Sequence, residues 1–260
     1  MLFRSKSYTH SISKGEKKHQ DEVDLCEMAD LVVPIGPRLE DSYSSYLQKC
    51  KEKQDIFTVT PGLFEREFGD LKQAPNERGE FKVLLCGRGD DEDFELKGYN
   101  IAAKAFTDPR LKEQSYELLF VGATEGKEEK IRSRLVECGI DNDQLAVRKF
   151  IKSREKIKKL LCEVDLSIMP SKSEGFGLVS LEALSAGLPI LVGKRSGFAR
   201  ALQDKGLGGT CIVQSDELKE WAEAIVNVHL KGSGKRLEEA KKLRESYKEH
   251  YSWKDRKSVV

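Results

Sequence analysis

Two glutamates and a glycine turn form the stretch of this sequence best suited to chemistry. Glu174 and Glu182 lie eight positions apart, and Gly175, Phe176 and Gly177 follow the first of them. The pattern predicts a buried strand before this stretch and an apolar-patterned helix that begins inside it. Backbone N–H groups at such a helix start bind phosphate, whereas the two carboxylates are suited to accept hydrogen bonds from sugar hydroxyls.

Two further motifs lie upstream. Arg88 follows a strand pattern and a glycine, and Lys97 precedes Gly98 where the next helix pattern begins. With the segments 29–33 and 186–191, these motifs resemble those of retaining glycosyltransferases of family 4, the glycosyl transferases group 1. That family has the GT-B architecture of two Rossmann-like domains. The resemblance covers roughly residues 29–231, and it matches the C-terminal, donor-binding domain.

The resemblance implies roles for individual side chains. Glu174 would be the catalytic residue, facing the donor sugar and stabilising the positive charge that develops at its anomeric carbon. Glu182 would accept hydrogen bonds from the ribose hydroxyls of the nucleotide. Arg88 and Lys97 would hold the two phosphates and stabilise the leaving group without a metal. The complete donor-binding set is Arg88, Lys97, Gly175, Phe176, Gly177, Leu178 and Glu182.

Each of these residues also has a plain structural interpretation. Glu182 can be a solvated helix residue, Glu174 an exposed loop acid, and the glycines an ordinary strand-to-helix turn. Phe176 is by itself more typical of packing than of ligand contact. The loop 89–96 is longer and far more acidic than the usual family form. It is predicted either to be solvated or to hold a cation such as Mg²⁺.

Composition restricts the class of protein. The formal net charge of +1 argues against a nucleic-acid binder, and no apolar run approaches the ~20 residues of a membrane span. The start of the chain lacks the apolar stretch of a signal peptide. Six cysteines show no CxxC spacing, and Cys86 and Cys162 lie in apolar runs. Free, buried thiols and a cytoplasmic location are the expectation, with disulfides or a zinc site as the less favoured alternative.

The fold class predicted is α/β, a Rossmann-like parallel sheet equivalent to the GT-B C-terminal half, with a remnant of an N-terminal domain and hinge. Strands alternate with helices after residue 80, which indicates βαβ units. The predicted domains are 1–78 (remnant and linker), 79–234 (nucleotide-sugar binding) and 235–260 (helical tail). The predicted strands are 81–86, 117–121, 144–148, 165–169, 189–193 and 210–213.

The function expected from these features is the donor-binding part of a retaining glycosyltransferase. It would use a nucleotide-diphosphate sugar of UDP or GDP type, require no cofactor, and transfer the sugar to an unidentified acceptor hydroxyl. The alternative is a non-catalytic nucleotide-sugar-binding or interaction module, with further domains of a larger chain as partners. A generic dehydrogenase is disfavoured because no Gly-x-Gly-x-x-Gly follows the first strand.

Overall fold

The structure is a computed structural model that describes residues 17–75, 79–89, 94–112 and 116–253. The chain divides into two compact units, Met1–Thr60 and Pro61–Val260. The domain boundaries predicted at residues 78 and 234 stay predictions, and each compact unit is described by itself.

The larger unit is built on a six-stranded sheet in which every pairing is parallel. The strand order β3-β2-β1-β4-β5-β6 is that of a Rossmann-like sheet, which confirms the predicted α/β class. All six predicted strands are present, within two residues of the observed ends. The strands are β1 Phe81–Cys86, β2 Tyr116–Ala123, β3 Leu145–Lys149, β4 Leu166–Met169, β5 Ile190–Gly193 and β6 Ile212–Val213.

Helices cover both faces of this sheet, because the strand side chains are apolar on both. In β1, Val83 and Leu85 enter one core with Ile225, whereas Leu84 enters the other with Leu181. The helices are α3 Glu65–Phe68, α4 Tyr99–Ala105, α5 Pro109–Lys112, α6 Glu128–Glu137, α7 Arg154–Glu163, α8 Leu178–Ser185, α9 Gly197–Gln203, α10 Leu218–Leu230 and α11 Ser233–His250, with a 3₁₀ turn at Asn142–Gln144.

The topology fixes where loops meet. β1 pairs with β2 on one side and with β4 on the other, so the direction of winding reverses between β1 and β4. At such a reversal the connections that leave two adjacent strands diverge and open a crevice at the carboxyl edge of the sheet. The motif that holds Arg88 and Lys97 follows β1, and the motif that holds Glu174 and Glu182 follows β4.

The first and last segments of the larger unit are joined. The Tyr247 hydroxyl donates to the Pro61 carbonyl oxygen at 2.7 Å, and the Trp253 indole N–H donates to the Leu63 carbonyl oxygen at 2.9 Å. Phe68 and Tyr247 are both fully buried in the same core. Residues 61–68 and the C-terminal helix therefore pack as part of the larger unit.

The amino edge of the sheet holds a buried ion pair. Arg236 Nη2 lies 2.7 Å from Asp165 Oδ1, and the two side chains are only 6% and 4% exposed. Asp165 Oδ2 also accepts a hydrogen bond from the Lys82 backbone N–H at 3.0 Å. The Arg236 guanidinium lies 5.0 Å from the centre of the Phe81 ring, and the His229 ring stacks on Phe81.

The smaller unit contains two helices, one at residues 17–28 (α1) and one at Pro37–Tyr46 (α2), and a 3₁₀ turn at Lys53–Asp55. Two extended segments pair in parallel, with bridges Val32–Ile56 and Ile35–Val59. Pro at the first helical position starts α2, as proline does where no backbone donor is needed.

The structure corrects one expectation about the cysteines. Cys162 is exposed, although it lies in an apolar run. In α7 the two preceding residues, Leu160 and Leu161, face the core, and the ~100° turn per residue carries Cys162 to the outer side. Among the described residues, no helix combines the length and hydropathy that a membrane span requires.

Candidate functional site

Three loops at the carboxyl edge of the sheet are joined by backbone hydrogen bonds. The loop after β4 is tied to the loop after β1 by Lys172 N–H, which donates to Leu96 O at 2.8 Å. It is tied to the loop after β5 by Glu174 N–H, which donates to Arg195 O at 3.3 Å, and by Gly197 N–H, which donates to Glu174 O at 3.1 Å. The position of Glu174 is therefore fixed by its own backbone.

Two glycines allow this close approach. Gly98 and Gly177 precede α4 and α8, with φ of 69° and 105° respectively, in the left-handed region that side chains disfavour. A Cβ at residue 98 would overlap the carbonyl oxygen of Pro170, and a Cβ at residue 177 would overlap the Met169 side chain. Glycine at 98 thus lets the β1 and β4 loops touch, and glycine at 177 lets the β4 loop turn back over Met169 at the end of its own strand.

The two motifs meet through an ion pair. Lys97 Nζ lies 2.6 Å from Glu174 Oε2, although 77 positions separate them in the sequence. The side chains are 25% and 19% exposed, so the pair is partly shielded yet open to solvent on one side. A cation and a carboxylate held together at the topological switch point can contact the phosphate and the sugar of one ligand.

The residue that sequence reasoning missed here is Glu95. Its Oε2 accepts a hydrogen bond from Asn100 Nδ2 at 2.6 Å and lies 3.3 Å from Lys172 Nζ. This carboxylate therefore connects the β1 loop to the β4 loop beside Lys97. Its only sequence signal was membership of the acidic run, in which it resembled its neighbours. The rest of that run, Asp90–Asp93, lies outside the described residues, which contain no cluster able to hold a metal ion.

Glu182 lies in the second turn of α8 and is partly buried. Burial raises the pKa of its carboxyl group; the nearby Arg154 lowers that pKa and Glu67 raises it further. The Cys86 thiol at the end of β1 has its pKa raised to about 12, by burial first and then by the charge of Glu182. Glu182 is thus a shielded carboxylate above the end of β1, unlike a solvated helix glutamate.

The turn itself offers backbone donors to a ligand. Within the described part of the chain, the N–H groups of Gly177, Leu178 and Val179 have no backbone hydrogen-bond acceptor. They lie at the start of α8, where helix N–H groups and the helix dipole favour an anion. Leu178 is exposed beside them.

The side chains of Phe176 and Arg88 differ in how accessible they are. The Phe176 side chain is buried against the Phe198 ring, with centroids 5.8 Å apart, and its carbonyl oxygen accepts from Phe198 N–H at 2.7 Å. Only the backbone of Phe176 is therefore available to a ligand. Arg88 is exposed, and its backbone oxygen accepts a hydrogen bond from the Tyr99 hydroxyl at 2.9 Å. Gly175 contributes no side chain and lies directly against Gly197.

Solved structures share this fold. A sucrose-phosphate synthase from Thermosynechococcus elongatus superposes with a TM-score of 0.70 at 19% identity, over 92% of this chain and 59% of that one. Anabaena Alr3699/HepE in complex with UDP and glucose superposes with a TM-score of 0.63 at 18% identity, over 86% and 59% respectively. The parallel sheet and its helices are those of GT-B glycosyltransferases.

The sequence comparison gives the family. Residues 2–258 match the model described as Family 4 Glycosyltransferase in conflict systems, and the chain belongs to that family. A curated relative, the uncharacterized glycosyltransferase YqgM of Bacillus subtilis (strain 168), is 27% identical over 223 residues. The chain thus spans 56% of the length of that relative, while the match covers 85% of the chain itself.

Proposed function

We propose that the carboxyl-edge site binds a nucleotide-diphosphate sugar and that this chain is the donor-binding part of a retaining glycosyltransferase. The observation that carries the proposal is the Lys97–Glu174 contact, which joins two separate motifs where α/β sheets bind ligands. Membership of a glycosyltransferase family supports it, as does the fold shared with Anabaena Alr3699/HepE, which was solved with UDP and glucose.

The diphosphate would bind where positive charge and free donors coincide. Lys97 and Arg88 supply fixed cations, and the N–H groups at the start of α8 supply donors. When the donor enters, Lys97 would share its charge between Glu174 and a phosphate oxygen. This arrangement needs no metal ion to stabilise the negative charge of the leaving diphosphate.

The transfer step would break the bond between the anomeric carbon and the β-phosphate oxygen. Both electrons of that bond go to the diphosphate, and the acceptor oxygen forms its bond to the anomeric carbon on the same face. The hydroxyl proton passes to the departing diphosphate. Glu174, held by its backbone beside the sugar, would stabilise the positive charge that develops at the anomeric carbon.

Glu182 would hold the ribose. A carboxylate has two oxygens that can accept hydrogen bonds from a vicinal diol. Its burial limits competition from water, so two hydrogen bonds to ribose are worth more here than at an exposed position.

The alternative function is a nucleotide-sugar-binding or interaction module without turnover. One observation favours it: the strongly acidic stretch 89–96 lies between Arg88 and Lys97 in the sequence, and carboxylates near a phosphate site oppose the binding of an anion. Binding of the donor is common to both functions, whereas release of free nucleotide in the presence of acceptors is expected only for the enzyme.

The first experiment is calorimetric titration of the chain with UDP-, GDP- and ADP-sugars, with and without Mg²⁺. Saturable binding of one donor is expected, and it should be lost in Arg88→Ala. The matched control is Lys242→Ala, which removes one positive charge from an exposed position of α11. Absence of binding to every donor, or equal loss in both variants, would contradict the proposal.

The roles of the two glutamates are tested separately. With the bare nucleotide as ligand, Glu182→Ala should weaken binding at least tenfold, about 1.4 kcal/mol, whereas Glu174→Ala should leave it nearly unchanged. With the nucleotide sugar, both variants should weaken binding. Glu238→Ala, an exposed glutamate of α11, is the control. Equal loss of bare-nucleotide binding in the two site variants would refute these roles.

A further inference from the structure

The amino edge of the sheet in the larger unit borders a cavity that the candidate donor site does not use. It has a volume of about 200 Å³ and lies between the amino ends of β5 and β6 and the helices α10 and α11. The strands are parallel, so their amino ends lie at one edge of the sheet and the loop that holds Glu174 lies at the other. We call this region the amino-edge cavity.

Most of the wall of the amino-edge cavity is apolar. Its apolar lining includes Leu184, Leu188, Ile190, Val228, Ala240 and Leu243. An apolar cavity of about 150 Å³ holds a benzene molecule. The amino-edge cavity, at about 200 Å³, therefore has room for a six-membered ring with a small substituent. A drug-sized or nucleotide-sized ligand needs roughly 300–1,000 Å³ and is too large for it.

One buried donor in the wall lacks an acceptor. Arg236 lines the cavity, and its side chain is only 6% exposed. Its Nη2 donates to Asp165 Oδ1 at 2.7 Å, whereas its Nε finds no hydrogen-bond acceptor among the described residues. Buried polar groups in proteins nearly always have a partner. A ligand oxygen placed against Nε would supply that partner and leave the pair with Asp165 intact.

The charges around the cavity are already balanced, since Arg236 pairs with Asp165. Lys231 and Glu239, which also line the cavity, form a second pair in which Nζ lies 2.7 Å from Oε2. Burial raises the pKa of the Cys211 thiol to about 12, so this lining group is uncharged at neutral pH. A phosphate or carboxylate would therefore lose its water without gaining an unpaired cation among the described lining residues. A carbonyl oxygen can accept from Nε without that cost.

We propose that the amino-edge cavity binds a small, uncharged molecule that combines an apolar ring or branched chain with one carbonyl group. The carbonyl oxygen accepts a hydrogen bond from Arg236 Nε, and the apolar part packs against the aliphatic side chains of the wall. The cavity and the carboxyl-edge site lie at opposite edges of the sheet. The proposal is therefore independent of donor binding.

The test follows the Arg236 Nε–H group by nuclear magnetic resonance in the full chain labelled with ¹⁵N at arginine. The probe is acetophenone, a phenyl ring that carries one carbonyl group. Saturable binding is expected, and hydrogen exchange of the Arg236 Nε–H group should slow at least tenfold because an acceptor holds the hydrogen. The matched control is α-methylstyrene, in which a methylene group replaces the oxygen. It has the same shape and should leave the exchange rate nearly unchanged.

A cavity-filling variant tests the location of the ligand. Ala240→Leu places extra methyl groups in the cavity and should weaken acetophenone binding at least tenfold. Ala224→Leu is the control, because Ala224 of α10 is only partly buried and lies outside the cavity wall. Circular dichroism shows whether each variant folds, and Leu243→Phe replaces Ala240→Leu if that variant does not. Unchanged affinity in the cavity-filling variant would contradict the proposed location.

Three further results would overturn the proposal. If acetophenone does not bind saturably and Arg236 Nε–H contacts water alone, the cavity is a solvated space. If benzoate binds more tightly than acetophenone, the cavity is a site for anions. If α-methylstyrene slows exchange at Arg236 as much as acetophenone does, the carbonyl oxygen does not contact Nε. A donor titration of the same sample shows separately whether the carboxyl-edge site is competent.

Discussion

Two cation–carboxylate pairs of the larger unit lie at opposite edges of its sheet and differ in how deeply they are buried. At the amino edge, Arg236 and Asp165 are 6% and 4% exposed and are packed beneath an aromatic ring. At the carboxyl edge, Lys97 and Glu174 have similar geometry, but a fifth to a quarter of each side chain is open to solvent. The first pair is enclosed by protein, and the second can be approached by a ligand.

This difference shows how one interaction serves two purposes. A buried pair has lost its water, so each partner depends on the other and neither can turn to a ligand without a large cost. A half-open pair keeps part of its hydration, and exchanging one partner for a phosphate or a hydroxyl costs little. We therefore expect the amino-edge pair to affect stability and the carboxyl-edge pair to affect binding.

The largest effect should come from breaking the amino-edge pair. Asp165→Ala leaves the Arg236 charge buried without its partner and removes the acceptor of Lys82 N–H, so the free energy of unfolding should fall by about 3–5 kcal/mol. Urea unfolding followed by circular dichroism measures this. The double variant Asp165→Leu, Arg236→Met should recover most of the loss. A fall below about 1 kcal/mol in Asp165→Ala would contradict the comparison.

The second effect concerns the glycine beneath Lys97. Gly98→Ala should lower the free energy of unfolding by about 2–4 kcal/mol, because it adds an overlap with Pro170 to the ~1 kcal/mol of a left-handed alanine. Gly126→Ala is the matched control, since its φ of 78° is similar and nothing lies near its Cβ. Equal losses in the two variants would show that the β1 and β4 loops are not in close contact.

The third effect should appear in binding alone. Lys97→Met should weaken nucleotide-sugar binding at least tenfold, about 1.4 kcal/mol, because a phosphate loses its cation. The free energy of unfolding should change by less than about 1 kcal/mol, as for other solvent-accessible ion pairs. Calorimetry and thermal unfolding of the same sample measure both. If Lys97→Met bound the nucleotide sugar normally but had a much lower free energy of unfolding, the Lys97–Glu174 pair would contribute to stability, as we expect of the amino-edge pair.

The smallest effect is a pH dependence. Burial raises the pKa of Glu182 above its usual 4.5, so its carboxylate is protonated at a higher pH than an exposed one. Protonation removes an acceptor for the hydrogen bonds of the ribose hydroxyls. Binding of the bare nucleotide should therefore weaken as pH falls towards that raised pKa. The sign for stability is opposite: the free energy of unfolding should decrease as pH rises from 4.5 through the raised pKa. In Glu182→Gln the contribution of this carboxyl group should be absent, so both dependences should be weaker than in the unmodified chain over this pH range.

The sequence predicted the sheet well because its signal is local. Each strand is a short apolar run between helix patterns, and Leu84 or Leu118 is buried in whichever order the strands pair. The turn before α8 was equally clear, since glycine at 177 meets a backbone requirement that few other residues satisfy. The strand order, by contrast, depends on which strand edges pair with each other, and the hydrophobic periodicity of the sequence carries no information about that pairing.

The site was predictable only as separate motifs. Nothing local indicates that Lys97 contacts Glu174, because the contact depends on the reversal of strand order between β1 and β4. Glu95 could not be distinguished from the other acids of its loop until Asn100 and Lys172 were seen beside it. The pairing of Arg236 with Asp165 was not predicted for the same reason. An arginine in a charged helix is normally expected to be solvated, and only the tertiary packing at the sheet edge shows that Arg236 is buried.

The hydrogen bonds from Tyr247 to Pro61 and from Trp253 to Leu63 have a consequence for the engineering of this protein. They place the entry and exit points of the larger unit next to each other, as the ends of many domains are. A unit with adjacent ends can be inserted into a surface loop of a host protein without stretching either. The same adjacency permits circular permutation, with a short linker across residues 61 and 253 and new termini in a solvent-exposed turn such as that at Gly126.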